Sequence, residues 1–268
     1  MRIINDSNWQ DVLRPPNTDD GRPEVMPRIT RCGSPEAIRM GLMPISERPD
    51  LLIPESEWKE RIAEANAERT MPYHHWQDAG CVKKSQNGYG YCWAYGLTSA
   101  VEMGRLGEAQ PYTRLAPNSL GWLVNWRNAG YYCDRAIAGA KERGIASLEK
   151  AGGSDGVFNH SKFASDWEED AKNYRPSEWF DTGGSQAEMA RQCVSILLIG
   201  LPIYIAYNWW GHALMAGGIE YDESCLYNIR WLILNSHGDG WIKLEGNRGV
   251  PDEGYGIGST TYYPHPDC

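Results

Sequence analysis

The sequence predicts an α+β fold in which a helical half precedes an antiparallel β half, with an extended arm at the N-terminus. Two observations carry this. Apolar residues after Cys92 recur at helical spacing, whereas from Ile203 onward they fall in short β-branched or aromatic runs separated by turn residues. The period changes at Gly200 and Pro202, residue types that end helices. A third observation sets the arm apart. Pro15-Pro16, Pro23, Pro27, Pro35, Pro44, Pro49 and Pro54 punctuate residues 1–70, so that segment cannot form long regular elements. The chain is therefore read as an arm over 1–70 and a domain over 71–268.

Each element has its own signal. In the arm, Trp58, Ile62 and Ala65 share a face at i, i+4, i+7 spacing, which predicts one helix from about Glu55 to Arg69. Cys92 opens the central helix. There Trp93, Leu97, Ala100 and Val101 form one apolar stripe, which buries that face and leaves the thiol at an exposed start. Helices follow over about Pro117–Trp126 and Asp134–Arg143, the latter stopped by Gly144. Residues 150–184 are rich in Gly, Ser, Asp and Asn and read as a long connection with one short helix near Asp166–Asn173. Ser185-Gln-Ala-Glu188 is a capping box that starts a helix running to about Ile199. The expected strands are Ile203–Tyr207, Ala213–Tyr221, Tyr227–Leu234, Trp241–Leu244 and Ile257–Tyr262.

Composition excludes several functions. A net charge of −9 argues against a nucleic-acid partner, because phosphates are repelled without a strong local basic patch, and clusters such as Lys83-Lys84 are short. No run approaches the length of a membrane span; Val194–Ala206 is the longest candidate, and Gly200 and Pro202 interrupt it. Residues 1–30 lack the charged start and apolar core of a secretory signal. The seven cysteines, at 32, 81, 92, 133, 193, 225 and 268, contain no Cys-x-x-Cys, so neither a metal nor another cofactor is expected. His74-His75 reads as a solvated pair.

The segment Gln86-Asn-Gly-Tyr-Gly-Tyr-Cys92 places a thiol where a glycine-rich loop turns into a helix, with an amide six residues upstream. A helix N-terminus favours a thiolate, and a side-chain amide can donate to a developing oxyanion. Gly211-His212-Ala213 and Asn235-Ser-His-Gly-Asp-Gly-Trp241 follow in an order that allows a Cys-His-Asn site. These three blocks resemble the papain family of cysteine peptidases over roughly Trp76–Tyr263. A fourth block, Asn128-Ala-Gly-Tyr131, is similar to the family's Asn-Gly-Gly-Tyr stretch.

The resemblance implies a papain-like fold with an active-site cleft between its halves, and it implies roles. Cys92 is the expected nucleophile, His212 the general base and acid, and Asn235 the residue that orients the imidazole. Gln86 shares the oxyanion with the Cys92 backbone N–H. Gly130 is expected to pair with substrate backbone, with Ala129, Tyr131, Ala213, Trp210 and Trp241 lining the cleft. His237 stands where relatives usually carry Trp, which implies a wetter His–Asn pair, shielded from the other side by Trp241. The stretch between Pro202 and His212 is short, so Trp209-Trp210 is expected to fill the place of a reduced cleft loop. Secreted relatives usually bridge two cysteines at positions occupied here by Tyr89 and Arg127, so a reducing setting is expected, cytoplasmic or virion-associated. Glu57 and Arg61 match the start of the family's inhibitory pro-segment pattern, but Ala65 stands where its aromatic belongs. Residues 1–70 are therefore expected to pack on the domain or dock to a protein partner rather than to form a conventional removable propeptide.

The function expected is hydrolysis of peptide or protein substrates through a Cys92 thioester. The alternatives are a structural or interaction component of a larger assembly such as a virion, and an acyl transferase or isopeptidase on the same fold.

Overall fold

The polypeptide enters the fold as an edge strand. In the computed structural model, which describes residues 1–15, 17–153 and 160–260, Arg2–Ile4 (β1) lies parallel to a strand almost at the other end of the chain. The arm continues through Val25–Met26 (β2), helix Pro35–Arg39 (α1) and Leu42–Pro44 (β3) to helix Trp58–Glu68 (α2). Trp58, Ile62 and Ala65 are the buried residues of α2, as their spacing requires. Helix Pro72–Asp78 (α3) leads into the domain.

Helix Cys92–Gly107 (α4) is the axis of the molecule. The run Pro117–Val124 forms a 3-10 helix, and Tyr131–Tyr132 (β4) precedes helix Cys133–Arg143 (α5), which Gly144 ends at φ +85°. Trp167–Ala171 (α6) sits in the connection, which also contains an unanticipated strand, Glu178–Asp181 (β5). Ser185 caps Gln186–Leu198 (α7) with both bonds of the capping box formed. The strands Ile203–Tyr207 (β6), His212–Tyr221 (β7), Ile229–Asn235 (β8), Gly240–Leu244 (β9) and Glu253–Ser259 (β10) complete the β half. The last was expected at Ile257–Tyr262; it begins earlier, and Tyr262 lies outside the described residues.

These strands build one sheet in the order β1-β9-β8-β7-β6-β10-β5-β3. Its middle is antiparallel, while the two outermost strands, β1 and β3, both come from the arm and pair in parallel. Alternation along β6 and β7 explains why both faces are dry. Tyr204, Ala206, Ala213 and Met215 pack on the α4 side, whereas Ile203, Ile205, Leu214 and Ala216 face a second core with Val194, Ile196, Trp58 and Ile62. Gly96 lets α4 close on β7, because a Cβ there would lie 2.9 Å from the Leu214 carbonyl oxygen. The α4 start is thereby held against the first residues of β7. Among the described residues, no helix is long and apolar enough to cross a membrane, and the six described cysteines are free thiols.

Candidate active site

The loop before α4 is built by local turns. Asn87 and Gly88 take left-handed φ values of +49° and +79°, and Tyr89 N–H donates to the Gln86 carbonyl at 2.9 Å. Gln86 is buried and doubly tied to the β half: its N–H donates to the Ser236 carbonyl at 2.9 Å, and its Oε1 accepts from Ser236 Oγ at 2.6 Å. Cys92 follows as the first residue of α4, and its Sγ accepts the Ala213 N–H at 3.4 Å.

His212 opens β7 directly after Gly211, whose φ of +62° closes the preceding turn. Its Nε2 pairs with Asn235 Oδ1 at 2.9 Å. Its Nδ1 is buried with no hydrogen-bond partner among the described residues. The ring lies between two aromatic neighbours: His237 stacks on it at 4.0 Å between centroids, and Trp210 is tilted beside it at 4.8 Å.

The arm crosses this site as a strap, anchored through β1 at one sheet edge and through β3 at the other. Trp210 Nε1 donates to the Val12 carbonyl at 3.1 Å, and Asn128 exchanges bonds with Asn17 and Asp19. Tyr131 N–H donates to the Glu24 carbonyl at 3.3 Å, and β2 runs parallel to β4. Beyond the site, Arg28 pairs with buried Asp181 at 2.5 Å, and its N–H donates to Glu253 at 2.6 Å. The Glu24 side chain turns inward. Gln86 Nε2 donates to its carboxylate at 2.8 Å, and the Cys92 thiol is its other partner. The amide expected to receive an oxyanion therefore holds a carboxylate of the same chain.

The electrostatics of this closed site follow from burial. Desolvation pushes the Cys92 thiol well above its ordinary range, and the Glu24 charge acts the same way. Burial pulls His212 down to about 4 against the Asn235 bond, and pulls His237 down to about 2 with help from His212. Burial also raises Glu24, opposed by its bonds to Gln86 and Cys92.

No protein-family model matches the sequence, and no curated protein does. Solved structures do. Xylellain, a cysteine protease from Xylella fastidiosa, aligns with a TM-score of 0.52 at 18% identity, over 67% of this chain and 83% of its own. Procathepsin B S9 from Trypanosoma congolense gives 0.54 at 14% identity, over 71% and 77%. The proform of Amb a 11, a cysteine protease and ragweed pollen allergen, gives 0.52 at 16%, over 72% and 60%. The fold is papain-like.

On this papain-like frame several expectations need correction. Cys92 is fully buried rather than exposed, because the strap and β7 close over the helix start. Its thiol is raised rather than lowered, since removal from water outweighs what a helix N-terminus supplies. His237 does not leave the His–Asn pair wet: His212 and Asn235 are each 1% exposed. The Trp241 ring, expected to shield the pair from its other side, packs edge-on against Tyr73 and Trp76. His74 is buried in α3 rather than solvated, and Lys84 is buried on Glu102. Gly130 and Tyr131 lie against Pro23 and Glu24 of the strap, the Ala213 N–H points at Cys92 Sγ, and the Ala129 carbonyl accepts from Trp93 Nε1 at 3.1 Å. Glu24 carried no signal in the sequence, since a lone acid in a proline-rich arm points nowhere until the arm is placed.

Gln86 gives a first prediction. Once the cleft is open, Gln86→Ala is expected to lower turnover by ~10²–10³ with little change in KM, as loss of one oxyanion donor does. Steady-state kinetics check this; a change confined to KM contradicts it.

Proposed function

We propose that this chain is a cysteine peptidase whose own strap holds it closed. One observation carries the reading. The His212 ring is fixed by Asn235 through Nε2, which leaves a buried, unpartnered Nδ1, and the N–H of the next residue, Ala213, donates at 3.4 Å to the Cys92 thiol that Glu24 has engaged. When Glu24 leaves, the thiol is free to give its proton to the imidazole.

The chemistry then follows in order. His212 takes the Cys92 proton, and the thiolate attacks a peptide carbonyl. The tetrahedral oxyanion accepts from Gln86 Nε2 and the Cys92 N–H. His212 protonates the leaving amine, a thioester remains, and water activated by the same imidazole releases the carboxylate. Substrate backbone takes over the Tyr131 N–H that Glu24 now uses. Transfer to an amine in place of water is the same chemistry with another acceptor, chosen by cleft shape. The double anchorage of the strap favours a second reading, a fold kept for binding within an assembly.

Gly130→Ala separates these readings. A Cβ at this position would lie 2.0 Å from the Pro23 carbonyl oxygen, so alanine and the closed strap cannot coexist. Gly130 is not among the positive-φ residues, so its own backbone accepts alanine. Alkylation of Cys92 by iodoacetamide at pH 7, followed by mass spectrometry, is expected to accelerate on the order of 10–10³-fold over the natural chain. An unchanged rate in a folded variant contradicts a strap-closed nucleophile.

A further inference from the structure

The closed strap brings together three side chains that no sequence spacing links: Glu24 from the arm, His212 from the start of β7, and His237 from the turn after β8. One ligand atom from each lies within 4.8 Å of the other two. We propose that this cluster is a binding site for a divalent transition cation of the Zn²⁺ class, which locks the strap shut by joining Glu24 to the two imidazoles. It bears on regulation of the same site, but it stands whether or not the peptidase reading does.

Four observations support it. Two imidazoles and a carboxylate are the donor set of a zinc site with an open fourth position, and hard cations such as Mg²⁺ prefer oxygen. His212 Nδ1 is a buried nitrogen without a partner among the described residues. Its Nε2 is meanwhile committed to Asn235, the outer-shell contact that fixes a ligating ring. The residues line a cavity of about 190 Å³ that also includes Arg14, Pro23 and Trp210.

Binding requires adjustment. Metal–nitrogen bonds of ~2.0–2.1 Å put tetrahedral ligands about 3.3 Å apart, so the cluster must contract. His237, now stacked at 28° to His212, must turn so that both ring planes meet the ion. Arg14 opposes a cation electrostatically and has to swing away. Binding releases the proton of Glu24 where it is held, and no electron transfer is involved.

The test uses Co²⁺ as a visible probe on the full chain. The expected result is one Co²⁺ per chain with the strong visible bands of a four-coordinate site, bleached by one equivalent of Zn²⁺. His237→Phe and Glu24→Ala should each weaken binding by at least about tenfold. Gly130→Ala, which keeps all three ligands but moves the strap, should weaken it as well, and Arg14→Gln should strengthen it. Circular dichroism confirms that each variant is folded. Absent or weak six-coordinate bands overturn the proposal, as do bands that persist in both ligand variants. The peptidase reading is judged separately by Cys92 alkylation in Gly130→Ala without added metal, so either can fail alone.

Discussion

In the strap-opened Gly130→Ala protein, His212→Ala is expected to reduce peptide hydrolysis on the order of 10⁴–10⁶-fold. The size follows from the thiol's surroundings. Cys92 sits in a dry pocket that pushes its proton affinity up, and His212 is the base to which the proposed mechanism assigns that proton. Single removal of the base in a nucleophile–base pair costs nearly as much as removing the pair, because the members act as a unit. Cys92→Ala should therefore match His212→Ala, and the double variant should be no worse than either. Asn235→Ala should cost less, since it frees the ring without removing the base. Hydrolysis of a fluorogenic peptide checks all four. If His212→Ala keeps more than about a hundredth of the activity, another group is the base.

Lys84→Met carries the largest expected effect on stability, a loss of roughly 3–5 kcal/mol. Lys84 and Glu102 are 3% and 4% exposed and pair at 2.5 Å, between the loop that carries Gln86 and the middle of α4. Glu102 also accepts the Leu115 N–H at 2.6 Å. Burial already pushes its carboxyl up against the pull of Lys84, so removing the lysine leaves an acid with one bond in a dry core. Adding Glu102→Leu should recover much of the loss, because two apolar residues carry no desolvation penalty. Urea unfolding of the two variants measures this. A cost under about 1 kcal/mol for Lys84→Met would mean that water reaches the pair.

The parts of this molecule that could be read in the sequence are those fixed by local chemistry. The Ser185–Glu188 capping box, the stop at Gly144 and the apolar run of β6 each depend on residues within a few positions of one another, and each is found as expected. Cys92, His212 and Asn235 carried local block signatures, so their positions at the start of α4, the start of β7 and the end of β8 were legible too. What escaped is long-range. β1 and β3 are three residues each, too short to show a period, and are strands only because β9 and β5 offer free edges. The path of the strap depends on pairings such as Glu24 with Gln86 and Arg28 with Asp181, more than sixty and more than a hundred and fifty residues apart in the chain. The buried thiol is a consequence of that path. His237 misled for a related reason: a substitution that looks like a lost shield in sequence is a stacked ring in the fold.

The most direct test of the account is the pH dependence of Cys92 alkylation in Gly130→Ala, with His212→Ala beside it and the natural chain as reference. The account predicts a slow reaction at all pH values in the natural chain. In Gly130→Ala it predicts fast single-site modification that persists well below pH 8, the mark of a thiolate held by an imidazolium. Adding His212→Ala should return the profile to that of an ordinary thiol with a pKa of about 8.5. If Gly130→Ala itself already shows that ordinary profile, or if labelling spreads over the other cysteines, Cys92 and His212 are not a working pair.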